Sequence, residues 1–240
     1  MNNPIFDCSY VSDSNATFTA DPFLFYPHGF LREWYLFFEV KPLYGNGKIG
    51  VAVSLDQGHR WQYLGIALSE KFHLSYPYVF RDEKSGDTFM LPQTVDTNLR
   101  LYKAVRGAFP MKWEFFSTIA EKPLADANIF YWNESWWIIA LYEPDYRINP
   151  DLYPGQRGFM RFLHVLYADS PLGPWTQHPH NCEMTRTQGS LRYGVDMRCQ
   201  HGREGIDPLQ NRNTIQYVNS VMKPHKVGTV LRDVVKLLVR

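Results

Sequence analysis

The sequence predicts an all-β fold of the propeller type, and three observations carry that prediction. A short motif recurs at Ala20-Asp21-Pro22-Phe23, Ser75-Tyr76-Pro77-Tyr78 and Ala125-Asp126-Ala127-Asn128. Each copy opens a unit of four short apolar or alternating runs separated by Gly, Pro, Asn and Asp, the pattern of antiparallel strands joined by turns. Aromatic residues reach 16%, a bias that favours strands. Four strands in roughly 50 residues make one propeller blade.

The first unit runs through Ala20–Phe25, Trp34–Glu39, Ile49–Ser54 and Trp61–Leu64. The second repeats it with Ser75–Phe80, Thr88–Pro92, Leu99–Ala104 and Trp113–Phe116, and the third with Ala125–Phe130, Trp136–Ala140, Leu163–Ala168 and Trp175–Gln177. Trp61, Trp113 and Trp175 recur at one place in each unit, which blade-to-blade packing explains better than sugar stacking. A β-sandwich with chance similarity between hairpins is the alternative; three matched elements in the same order weigh against it. The expected blades are about 20–70, 71–122 and 123–180, with a partial one over 185–200 that includes Met197-Arg198-Cys199-Gln200. Residues 201–240 form a divergent segment, with a short helix or strand over Val230–Val239. A propeller must close to hide its edge strands, so this segment completes or caps the ring, or the ring is incomplete at its C-terminus.

Composition bounds the function. The 240 residues carry 25 basic and 24 acidic side chains, a net charge of +1, without a basic stripe, which argues against nucleic acid as a partner. Three cysteines, Cys8, Cys182 and Cys199, are too few and scattered for a disulfide framework or a zinc site. His178, His180 and Cys182 lack a fourth ligand and read as a solvated loop; no metal and no cofactor is expected. No phosphate loop, nucleophile elbow or dinucleotide fingerprint occurs. No secretory signal and no apolar run of about 18 residues is visible, so the expectation is a soluble chain without a membrane span, cytoplasmic by default. Sequons at Asn15 and Asn133 matter only on a secretory route.

The stretches Ala20–Phe25, Trp34–Glu39 and His73-Leu74-Ser75-Tyr76-Pro77-Tyr78-Val79-Phe80 resemble the N-terminal propeller domain of glucosamine inositolphosphorylceramide transferases, over about residues 3–200. More distantly the chain is similar to the five-bladed propellers of arabinanases, xylosidases, levansucrases and invertases. The resemblance implies a five-bladed propeller, a glycan or glycolipid substrate, and a partner glycosyltransferase domain that this chain lacks. In the hydrolase relatives an acidic funnel on the propeller axis forms the site.

Glycoside hydrolysis needs two carboxyl groups, one protonated to aid the leaving oxygen and one ionised to attack carbon or activate water. By the resemblance, Asp21 sits where the hydrolases place the base or nucleophile, and Asp126 is the orienting or tuning carboxylate. Read alone, Asp21 before Pro22 is better explained as a turn at the strand start; its repeat position and the resemblance together put the catalytic reading level with it. The acid is the open place. The family usually has Pro-Glu-Thr or Pro-Glu-Ser where this chain reads Pro92-Gln93-Thr94, and Gln93 binds a sugar without releasing a proton. Glu143 and Glu183 are the remaining acid candidates, Glu183 being preferred. His73, Tyr76, Gln93, Arg186 and Gln188 are expected to bind substrate, Arg186 through an anionic sugar or phosphate; core packing is the alternative for Tyr76. Two functions stay open: chemistry on a glycosidic bond, and a non-catalytic glycan-binding module beside a glycosyltransferase.

Overall fold

A computed structural model describes residues 6–26, 33–94, 97–142, 162–178, 183–185 and 196–198. Three four-stranded antiparallel sheets dominate. The first is β1 (Ala16–Phe25), β2 (Trp34–Pro42), β3 (Lys48–Ser54) and β4 (Gln62–Leu68), in that order. The second is β5 (Leu74–Arg81), β6 (Thr88–Thr94), β7 (Leu99–Ala104) and β8 (Trp113–Ala120), again in sequence order. The third is β9 (Leu124–Trp132), β10 (Ser135–Tyr142), β11 (Phe162–Ala168) and β12 (Thr176–Gln177). A two-stranded hairpin, β13 (Glu183–Thr185) with β14 (Asp196–Arg198), follows. Among the described residues the one helical piece is a 3-10 turn at Cys8–Tyr10, capped by the Asp7 carboxylate accepting from the Ser9 amide. The all-β expectation holds.

Compact packing divides the chain into two units within β9, after Ile129, with Pro171–Pro174 belonging to the first. In the first unit, β2 is buried along both faces from Tyr35 to Val40, as its run of apolar residues requires. One face meets the second sheet: Phe37, Ile49 and Val51 pack with Leu74, Met90, Tyr102 and Trp113. Phe37 stacks edge-on against Trp113, ring centroids 5.7 Å apart, and the Trp113 indole N–H donates to the Pro110 carbonyl at 2.9 Å. Trp113 thus joins two sheets, as expected of it, whereas Trp61 at the equivalent place packs on its own sheet against Leu36, Phe38, Val40 and Ala52. The opposite face, Leu36, Phe38, Val40 and Ala52, is covered by Phe6, Val11 and Tyr63. Asp13 latches this N-terminal segment, accepting from the Tyr63 hydroxyl at 2.6 Å and the Ile66 amide at 2.9 Å.

The β3–β4 turn is built by short side chains. Ser54 Oγ accepts from the Gly58 amide at 2.8 Å and Asp56 Oδ1 from the Arg60 amide at 2.8 Å, while Gly58 takes a φ of 88° that a side chain would resist. In the second unit, Trp137 and Val165 form a smaller core with Phe130, Ile139 and Tyr167. His178 belongs to it, buried and 5.9 Å from the Trp137 ring, so the expected solvated loop is corrected at this residue. The Trp137 and Tyr167 rings flank it, and its backbone amide donates to the Val165 carbonyl at 3.0 Å, which seats it against β11. His180, Cys182, Cys199 and residues 201–240 lie outside the described residues. β13 ends at Thr185, where the sequence pattern starts a strand.

Candidate functional site

The recurring motif forms a recurring backbone feature. The β1–β2 register slips between Ala20, opposite Glu39, and Phe23, opposite Phe37. The β5–β6 register slips at the matching place, between Ser75, opposite Gln93, and Tyr78, opposite Leu91. Inside each bulge one non-glycine residue takes a left-handed φ, 48° at Asp21 and 45° at Tyr76, and Asp126 in β9 takes 52°. Aspartate visits this region readily, whereas for tyrosine it costs on the order of 1–2 kcal/mol. Proline is tolerated after Asp21 and Tyr76 because a bulge leaves an amide out of the ladder. A bulge also re-aims the side chain, and here it brings separate strands together.

Asp21 Oδ2 accepts from the Tyr76 amide at 3.3 Å. The Tyr76 hydroxyl donates to Asn128 Oδ1 at 3.1 Å, and Asn128 Nδ2 donates to the Asp126 carbonyl at 2.8 Å. Burial first, and then the charges of Asp126 and Asp21, push the Tyr76 hydroxyl pKa up, against the hydrogen bond to Asn128. Asp21, Tyr76, Asn128 and the Asp126 backbone carbonyl therefore form one polar cluster drawn from β1, β5 and β9, with the Asp126 charge acting on Tyr76.

A second cluster abuts it. His73 Nε2 lies 3.2 Å from Glu39 Oε1, and the Gly47 amide donates to His73 Nδ1 at 3.0 Å. Gly47 is required by space: a Cβ there would lie 2.6 Å from the Leu74 carbonyl, 2.6 Å from His73 Cε1 and 2.9 Å from Glu39 Oε1. The β2–β3 hairpin carrying Gly47 is braced, Lys41 Nζ donating to the Gly45 carbonyl at 2.7 Å and Asn46 Nδ2 to the Lys71 carbonyl at 2.8 Å. Glu39 is buried at 6% exposure, and its pKa rises from 4.5 to about 7 because burial and the Asp21 charge oppose ionisation, with Lys41 acting the other way. Burial and Lys41 hold the His73 pKa below its usual value, only partly offset by Asp21.

Of the residues singled out in the sequence, Asp21, His73, Tyr76 and Asp126 fall in these two contiguous clusters. Gln93 faces Ser75 across β5–β6, half-buried. Glu183 lies in β13, with its side chain outside what is described; Glu143, Arg186 and Gln188 lie outside the described residues. Glu39 is the residue sequence reasoning missed. Ala20↔Glu39 and Ser75↔Gln93 are equivalent pairs, so superposing the second strand of the first unit on that of the second would have found it. Among the described residues no group of His, Cys, Asp and Glu is arranged to hold a metal ion, and no helix is long and apolar enough to cross a membrane.

Repeated four-stranded antiparallel sheets, each following sequence order, define an all-β fold of the β-propeller type. An exo-β-1,3-galactanase from Phanerochaete chrysosporium, solved with galactose, superposes with a TM-score of 0.53 at 14% identity, over 72% of this chain and 41% of that one. A family 117 glycoside hydrolase from Zobellia galactanivorans gives 0.51 at 12% identity, over 78% of this chain and 68% of the other. At such identities the likeness is one of fold. Residues 1–197 match the family described as glucosamine inositolphosphorylceramide transferase 1, N-terminal, and the chain belongs to that family. Glucosamine inositolphosphorylceramide transferase 1 of Oryza sativa is 37% identical over 183 residues, and its namesake in Arabidopsis thaliana 37% over 185. The matched region is 75% of this chain and 22% of each of those proteins, so the chain spans about a fifth of the length of the relatives it matches.

Proposed function

We propose that this chain is a carbohydrate-active propeller domain acting on a glycosidic bond of a glycan or glycolipid, with Asp21 as the working carboxylate and Asp126 tuning the site. The observation that carries this reading is the hydrogen-bonded cluster Asp21–Tyr76–Asn128–Asp126, held by left-handed bulges. A polyol offers the complementary groups: its hydroxyls donate to the carboxylates and to the Tyr76 oxygen, whose own proton goes to Asn128. His73 and Gln93 extend the polar lining; Arg186, Gln188 and Glu183 stay candidates on the sequence reading alone. A five-bladed ring belongs to the reading, as does a partner glycosyltransferase domain, since the relatives named as glucosamine inositolphosphorylceramide transferases are far longer than the match.

A second reading, sugar binding without chemistry, is favoured by Gln93, an amide at the place equivalent to Glu39. Calorimetry of the full chain against glucosamine, galactose and inositol phosphate, with product analysis on their glycosides, separates the two. Turnover abolished by Asp21→Asn with unfolding unchanged supports the first reading, and binding without product supports the second. Neither binding nor turnover removes both.

A further inference from the structure

We infer that Glu39 is the acid of this site, protonating the departing glycosidic oxygen, and that His73, held by the Gly47 amide, is its positioning residue. The inference rests on the reading of the site as one that acts on glycosidic bonds. It supplies the group that Gln93 cannot.

Register fixes the placement. Glu39 pairs with Ala20, the residue before Asp21, so both carboxyl groups leave neighbouring strands at one bulge. A side chain this buried keeps a carboxyl only with partners. The partner's protonation follows from geometry. The Gly47 amide, 3.0 Å from Nδ1, needs a lone pair there, so the neutral imidazole carries its proton on Nε2. Nε2 lies 3.2 Å from Glu39 Oε1, so a proton on Nε2 makes Oε1 its acceptor. The acid proton therefore sits on Oε2, the oxygen left for a substrate. Asp21 from β1, Lys41 on β2 and His73 ahead of β5 are the charged and titratable groups that act on Glu39.

The step balances with water as the second reactant. The Glu39 Oε2–H bond breaks and its proton goes to the glycosidic oxygen as the anomeric C–O bond breaks, the bonding pair staying on that oxygen. Water forms the new bond to the anomeric carbon and passes a proton to the Asp21 carboxylate. The products are a free sugar and an alcohol, and Asp21 returns its proton to Glu39 through solvent. Two carboxyl groups of unlike affinity for protons divide the roles.

The test grades leaving groups. Methyl and 2,4-dinitrophenyl glycosides of glucosamine, glucose and galactose, both anomers, are incubated with the full chain and with Glu39→Gln. Dinitrophenolate departs unaided, so the variant is expected to lose methyl glycoside hydrolysis by about 10²–10⁴-fold while dinitrophenyl glycosides fall less than about tenfold. The alkaline limb of kcat/KM for methyl glycosides should fall near pH 7 and vanish in the variant. His73→Asn should move that limb to higher pH, because a donor to the carboxylate is lost. Carboxyl-13C glutamate NMR of the wild-type chain gives a readout independent of turnover: Glu39 should titrate near 7 and lower in Asp21→Asn. Equal loss for both leaving groups, retained methyl glycoside hydrolysis, or Glu39 titrating in the ordinary carboxylate range overturns the assignment while leaving the broader reading intact. A wild-type chain that binds these sugars and turns over none overturns both.

Discussion

Replacing Glu39 with glutamine changes one proton-binding group while keeping the side chain's shape and the acceptor facing His73 Nε2. The folded protein holds the Glu39 proton more tightly than the unfolded chain, about 7 against 4.5. Between those values the native state binds more protons, so wild-type stability falls as pH rises through the interval and levels off above it. At about 1.4 kcal/mol per pH unit the whole loss is at most about 3 kcal/mol, of which partial solvation of the site will remove some. Glutamine carries no such loss. The variant should match the wild type near pH 4 and exceed it by up to about 3 kcal/mol at pH 8.5. Urea unfolding followed by tryptophan fluorescence at pH 4, 6, 7 and 8.5, at fixed ionic strength, measures it. A difference that stays flat with pH, or a variant less stable at pH 8.5, refutes the argument that burial and Asp21 hold Glu39 protonated.

Three further outcomes follow from the packing. Gly47→Ala would drive a methyl group into the Leu74 carbonyl and His73, so it should cost about 1–3 kcal/mol and return the Glu39 titration, read by carboxyl-13C NMR, toward the ordinary range. Trp113→Ala should cost about 3–5 kcal/mol in urea unfolding, since it vacates the seam against Phe37 and Phe109. Asp13→Ala should cost about 1–2 kcal/mol and lower the Tyr63 ionisation, read at 295 nm, because burial and Asp13 together push that hydroxyl up.

Much of the scaffold is legible in the sequence because strand chemistry is local. Alternation, aromatic bias and turn residues mark runs such as Trp34–Glu39 and Leu99–Ala104, each of which lies in a strand. Asp21, Tyr76 and Asp126 are legible as equivalents because a repeated backbone need leaves a repeated motif. That the motif encodes a left-handed bulge is not legible, since φ has no letter of its own at an aspartate or tyrosine. Nor is His178's burial, which depends on aromatic rings of other strands.

Glu39 marks the boundary most sharply. In the sequence it is one polar letter ending an apolar run, while the search for an acid follows Gln93, Glu143 and Glu183. The repeat alone determined the all-β class and where the chain turns back to start each unit. Only the tertiary structure decided that Glu39, Gly47 and His73 meet beside Asp21, because the register of β1 on β2 and the bracing of the β2–β3 hairpin set that meeting. Desolvation and charge coupling depend on distance in space, so a proton affinity near neutrality belongs to the fold and to no single residue of the chain.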